Sequence, residues 1–159
     1  MKKIVKALAA IVLSLIAATL IIAVVFGAFL VPKDPVIEAL PRYDKKEFYS
    51  SGGFQDFTDY AKYTYRITES DLAECESLRP ATEEDIPTIL KYVEHFEVCV
   101  NVCQEFPSES YDFDKSAITA GDYFFLYNHY EEPEKAFWFY KLYYFDLDAG
   151  ILYYFRFNI

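Results

Sequence analysis

The side chains that could do chemistry are few, and their spacing offers little. His95 and His129 are the two histidines, and the three cysteines are Cys75, Cys99 and Cys103. A zinc centre needs several Cys, His or carboxylate ligands, often with two at short spacing. Helical spacing turns His95 toward solvent while Cys103 falls on the apolar side of the same helix, so no metal site is predicted. Asp146-Leu-Asp-Ala-Gly150 opens like a calcium loop, but Phe157 stands where such a loop needs its bidentate Glu. An Asp/Gly hairpin turn accounts for those residues completely, because Asp favours turn hydrogen bonds and Gly supplies positive φ. No Ser lies in a G-x-S-x-G context, and the glycines, at 27, 52, 53, 121 and 150, form no phosphate-binding loop. Glu131, Glu132 and Glu134 share one loop tip, where clustered charge is solvated. No catalytic residue is nominated, no cofactor is implied, and catalysis is not expected. Three cysteines leave at least one unpaired; Cys99 and Cys103 are badly placed for a mutual disulfide on one helix, and buried free thiols are expected, with a Cys75 bridge to either as the alternative.

The feature that could carry recognition is aromatic. The chain of 159 residues holds 15 Phe, 15 Tyr and one Trp. Three segments, Asp122 to Asn128, Ala136 to Asp146 and Gly150 to Phe157, are rich in these residues and joined by short polar connections, which predicts a three-stranded antiparallel meander. Alternation gives both faces of these strands rings, and one helical layer covers one face. Tyr123, Tyr127, Trp138, Tyr140 and Tyr144 are therefore the candidate binding residues, on a tyrosine-rich surface suited to a protein or glycan partner. The competing structural reading has the tyrosines lie along the sheet with their hydroxyls in water.

The helix expected to cover that sheet runs from Glu83 to about Glu105. Ile86, Ile89, Val93, Phe96, Val100 and Cys103 form one apolar stripe, and Thr82 with Asp85 offers an N-terminal cap. Pro87 suits a helix that begins at Asp85, which leaves the proline in the first turn. Residues 54–66 are ambiguous: Phe54, Phe57, Ala61 and Tyr65 share a helical face, whereas Tyr63, Tyr65 and Ile67 alternate as in a strand. Helix is favoured at their start, with conversion to strand near Lys62. The expected fold is α+β: one or two helices on a three- or four-stranded antiparallel meander within residues 54–159, preceded by a proline-containing stalk over 32–53.

Before the stalk, Ala7 to Val31 is 25 residues without a charge. As a helix it would reach about 37 Å, enough for a hydrocarbon core of about 30 Å. Its length exceeds a signal peptide's apolar core, so residues 1–31 are predicted to be an uncleaved membrane anchor, with secretion after cleavage as the alternative. Lys2, Lys3 and Lys6 abut the helix and favour an N-terminus inside and a domain outside the cytoplasm. The formal charge is −10, and all 25 acidic residues follow the anchor. That field disfavours nucleic acid, whose binding rests on Lys/Arg neutralisation of phosphate.

The stretches GGFQDFTDYAKYTY, TEEDIPTIL, YDFD, AGDYFFLYN and LYYFD…ILYYF, spread over roughly residues 52–159, resemble a set of small bacterial proteins with no assigned function. The resemblance implies neither a site nor an activity. If Lys62–Thr68 is a strand, the order strand, long helix, three antiparallel strands is similar to cystatin-like folds, a likeness of topology alone. The expectation is a membrane-anchored, single-pass binding or interaction module. The alternative is an inhibitor or immunity-type protein that sets an acidic aromatic surface against a basic partner.

Overall fold

The computed structural model describes residues 18–19, 34–51 and 56–159. The chain divides into two compact units, Met1–Asp34 and Pro35–Ile159. Among the described residues no helix is long and apolar enough to cross a membrane. Apart from Ala18 and Thr19, the anchor expected over 7–31 lies outside them.

The second unit is α+β, built on one antiparallel sheet. Its elements are α1 (Pro35–Ala39), β1 (Lys45–Ser50), β2 (Phe57–Thr64), α2 (Glu69–Ala73), β3 (Arg79–Pro80), α3 (Ile86–Val102), β4 (Tyr123–Asn128), β5 (Phe139–Asp146) and β6 (Ile151–Asn158). The six strands lie in the order β1-β2-β6-β5-β4-β3. The predicted meander β4-β5-β6 forms its centre, with Leu142 opposite Leu126 on β4 and Phe155 on β6. Its last turn has the expected chemistry: Asp146 Oδ1 accepts from the Ala149 amide at 2.9 Å, and Gly150 adopts φ +65°. A Cβ there would lie 3.0 Å from the Tyr65 carbonyl oxygen, so glycine serves both the turn and the close approach.

Two expectations are corrected. Phe57–Thr64 is strand throughout, not helix, and it pairs with β1 on one side and β6 on the other. Phe57, Ala61 and Tyr65 share a helical face, but residues four apart also share a strand face, so their spacing never separated the two periods. Two flanking ladders and the rings Tyr60 and Tyr63, both buried, favour the strand. The stretch expected to be a stalk is the other correction, since residues 35–51 of it belong to the domain. Pro35 opens α1, where its fixed φ and missing N–H suit a first helical position, and Val36 and Leu40 are buried. The meander thus gains three strands: β1, β2 and the two-residue β3.

Each sheet face has its own core. On the front, α3 lays Ile89, Tyr92, Val93, Phe96 and Val100 against Tyr60, Tyr140, Leu142, Tyr144 and Phe155. The connection after α3 closes this layer: the ring of Phe113 meets those of Phe155 and Tyr153 at 5.1 and 4.6 Å. Asp112 beside it binds Lys62 Nζ at 2.6 Å and the Tyr60 hydroxyl at 3.0 Å. On the back, Val36 and Leu40 of the α1 region, Leu72 of α2, and Cys75 and Leu78 after it cover Ala61, Tyr63, Tyr143, Phe145, Leu152 and Tyr154. Helix α2 is started by a capping box, in which the Thr68 hydroxyl accepts from the Asp71 amide while Asp71 accepts from the Thr68 amide.

Helix α3 starts one turn later than Glu83. Asp85 is its N-cap, and Pro87 falls in the first turn at no cost in hydrogen bonds. Thr82 is not the cap; its amide and hydroxyl both donate to Asp85. Arg79 adds a two-pronged ion pair to the same carboxylate at 2.6 and 2.8 Å, holding Asp85 well below the ordinary carboxylate range.

Val93 is wholly buried where the helix meets the sheet. Val93→Asp would set an unpaired carboxylate in an apolar layer and should cost about 4 kcal/mol. Urea denaturation measures this, and an unchanged midpoint would refute the helix's seating.

Candidate functional site

Of the five residues nominated from strand pattern, the structure buries three. Tyr140 and Tyr144 have no exposed surface and lie in the front core, and Tyr123 is buried in the back core. They are structural rings and cannot form an outer face. Tyr127 and Trp138 remain, 41% and 43% exposed. The register explains the split. Tyr127 lies opposite Lys141, and Tyr123 opposite Phe145, so the back-facing residues of β5 are Phe139, Lys141, Tyr143 and Phe145. The nominated set combined one face of β4 with the opposite face of β5.

Buried Tyr144, Tyr140 and Tyr92 have partners for their hydroxyls. Tyr144 donates to Asp122, whose carboxylate also accepts from the Thr119 hydroxyl at 2.8 Å and the Leu147 amide at 2.9 Å. Burial raises the Tyr144 phenol far above its ordinary range. Tyr140 donates to the Tyr92 carbonyl and meets His95 Nδ1 at 3.1 Å. Asn128 donates to the Tyr92 hydroxyl at 2.8 Å.

His95 does not point into solvent as its helical position suggested. Its ring stacks on Phe137 at 4.4 Å and meets Phe157 edge-on at 5.0 Å, while Lys91 caps the Phe137 ring at 5.0 Å. Burial lowers its pKa. Cys99 is 3.8 Å from both His95 ring nitrogens, but burial first, and nearby Cys103 second, push its thiol up to about 11, so it is not a reactive thiolate. Cys75, Cys99 and Cys103 are all free; Cys75 is buried and the other two are half-buried. Among the described residues no group of three His, Cys, Asp or Glu is placed to hold a metal ion.

Among the described residues, the far end of the back face remains open. The cover supplied by α1 and α2 leaves a hollow over the rows that run through Lys141 and Phe139, with Pro35 of α1 on its wall. There a basin of about 470 Å³ is lined by Phe125, Tyr127, His129, Phe139, Lys141 and Tyr143, together with Pro35, Tyr130 and Asn158. Rings form its walls: Tyr127 and Phe139 stand 6.1 Å apart at 88°, and His129 meets Phe139 at 5.6 Å and 73°. Trp138 sits just outside, edge-on to Tyr130 at 5.7 Å.

The basin's charge is unusual for this chain. Lys141 makes no ion pair with any described residue. Directly across the ladder it faces Arg156, whose guanidinium lies over Phe57 at 3.8 Å and is 3.4 Å from Asp59. Asp59 is buried and also accepts from the Ser50 hydroxyl at 2.5 Å. The acid beside Arg156 is thus engaged with Arg156 and Ser50. Sequence reasoning missed Phe125, Phe139, Lys141, Tyr143 and His129; the alternation was legible, but only the strand register places these residues together.

No protein-family model matches the chain, and no curated protein or solved structure matches it.

The depressed pKa of His95 fixes a direction for stability. The folded state binds its proton less readily than the unfolded chain, whose value is near 6.5, so stability should be full above that pH and fall as pH drops below it. Thermal denaturation between about pH 7.5 and pH 5.5 should show this loss, and His95→Gln, which retains His129, should flatten it. Parallel profiles for the two proteins would show that His95 is not the source.

Proposed function

We propose that the domain is a binding module, held at a membrane by residues 7–31 on the extracytoplasmic side, and that the basin at the end of the back face is its receptor site. The observation that carries the reading is the contrast between this corner and the rest of the sheet. Elsewhere α1, α2, α3 and their connections cover most of the aromatic rings, Phe48 on the edge strand β1 excepted, whereas here a concave, ring-walled cavity of about 470 Å³ is left open by the described residues. A mostly apolar hollow with a few convergent polar groups is the usual form of a ligand site. Tyr127 is the nominated residue that belongs to it, and Trp138 stands beside it. The inhibitor reading asks for acid and rings on one surface; the basin instead joins rings to a cation. The order strand, long helix, meander keeps the cystatin-like likeness as a description of architecture, which fixes no function.

Two measurements test the two halves of this reading. Titration of the full chain in lipid nanodiscs with the neutral compound 3-phenylpropan-1-ol should give saturable NMR shifts in the rings of Phe125, Tyr127 and Phe139, and none in buried Tyr144. Uniform or unsaturable shifts would refute the basin. Alkaline carbonate extraction of cell membranes should leave the full-length chain in the pellet; a shortened soluble product would establish cleavage instead.

A further inference from the structure

The ligand class of the basin follows from its walls and its charge, given the binding reading above. Lys141 and Arg156 occupy directly opposed positions on β5 and β6, an arrangement in which like charges repel. Asp59 offsets Arg156 alone, at 3.4 Å. Lys141 lines the cavity without a carboxylate from the described residues, in a chain whose formal charge is −10. An anionic group at Lys141 would complete the row Asp59–Arg156–Lys141–anion with alternating sign.

The walls select what the anion is attached to. Tyr127 and Phe139 meet at 88°, so a third ring lying on either wall presents its edge to the other, the arrangement aromatic clusters favour. His129 adds a polar group at the same end: its Nδ1 lies 3.3 Å from the Tyr127 hydroxyl, leaving the other ring nitrogen for a ligand. Charge sets an upper limit on the ligand. Glu131 and Glu132 border a second hollow that shares His129 and Tyr130 with the basin, so a second negative charge would meet acids at the rim.

We infer that the basin binds a small aromatic monocarboxylate, its ring in the corner between Tyr127 and Phe139 and its carboxylate at Lys141. The probe is 3-phenylpropanoate, compared with its neutral counterpart 3-phenylpropan-1-ol, on the full chain in nanodiscs of zwitterionic lipid. At low salt the acid should bind about fivefold tighter than the alcohol. Raising the salt should shrink that preference and leave the alcohol unaffected. Lys141→Met, which keeps the aliphatic stem, should abolish the preference, bind the alcohol as before, and melt higher because the repulsion from Arg156 is gone. Lys141→Arg should retain the preference. Equal binding of acid and alcohol by the unaltered chain, or a preference that survives Lys141→Met, would overturn the assignment of the anion while leaving the basin as a site. Absence of saturable binding by both compounds would overturn the basin itself.

Discussion

A β-strand shows its side chains to alternate faces, so a sheet with large rings on both faces must be covered twice or leave rings in water. The rest of this domain depends on that constraint. In β5, Tyr140, Leu142 and Tyr144 point forward while Phe139, Lys141, Tyr143 and Phe145 point back. The front is sealed by a 17-residue helix and the connection that follows it. The back has two five-residue helices and a short loop, which is less material for a sheet of the same width. That cover thins where Lys141 interrupts the rings, and the basin is a part of the sheet that the described residues leave bare.

Tyrosine at buried positions adds a second demand, because a phenol taken from water must find a partner. The partners come mostly from the connecting segments. Asp122 accepts from Tyr144, to which the Thr119 amide donates; Asp112 accepts from Tyr60, and the Tyr92 carbonyl of the helix accepts from Tyr140. These hydrogen bonds are directional in a way that ring packing is not. They tie the front connections to particular strand positions and fix the depth at which α3 sits. Asp122 is buried without a cation and held by three neutral donors, so it acts as a structural acceptor.

Much of this architecture was legible in the residues. The meander followed from three aromatic runs with short polar links, and the buried face of α3 from the spacing of Ile89, Val93, Phe96 and Val100. What was hidden depended on partners distant in sequence. Lys45–Ser50 has too little pattern to announce a strand, and becomes one only because β2 offers a ladder. Phe57, Ala61 and Tyr65 satisfied two periods at once. The candidate site failed in its details for the same reason: alternation divides each strand into two sets of residues, but cannot say which set of β4 shares a face with which set of β5. Tyr127 was found and Phe139 and Lys141 were missed because one residue of register separates the buried set from the open one. His95 was misplaced because the helix pattern does not show Phe137 coming back from the loop before β5 to meet it.

The two outermost strands bear on how this domain can meet another molecule. On one side β3 is two residues long and ends in Pro80, which has no N–H to donate; on the other, β1 begins Lys-Lys-Glu. Brevity, proline and charge at a sheet margin are the devices by which proteins discourage a foreign chain from zipping on through its backbone. Recognition by β-augmentation is thereby disfavoured at both flanks. Contacts with other molecules are directed to side chains on the sheet's surface, where selectivity can be set one residue at a time.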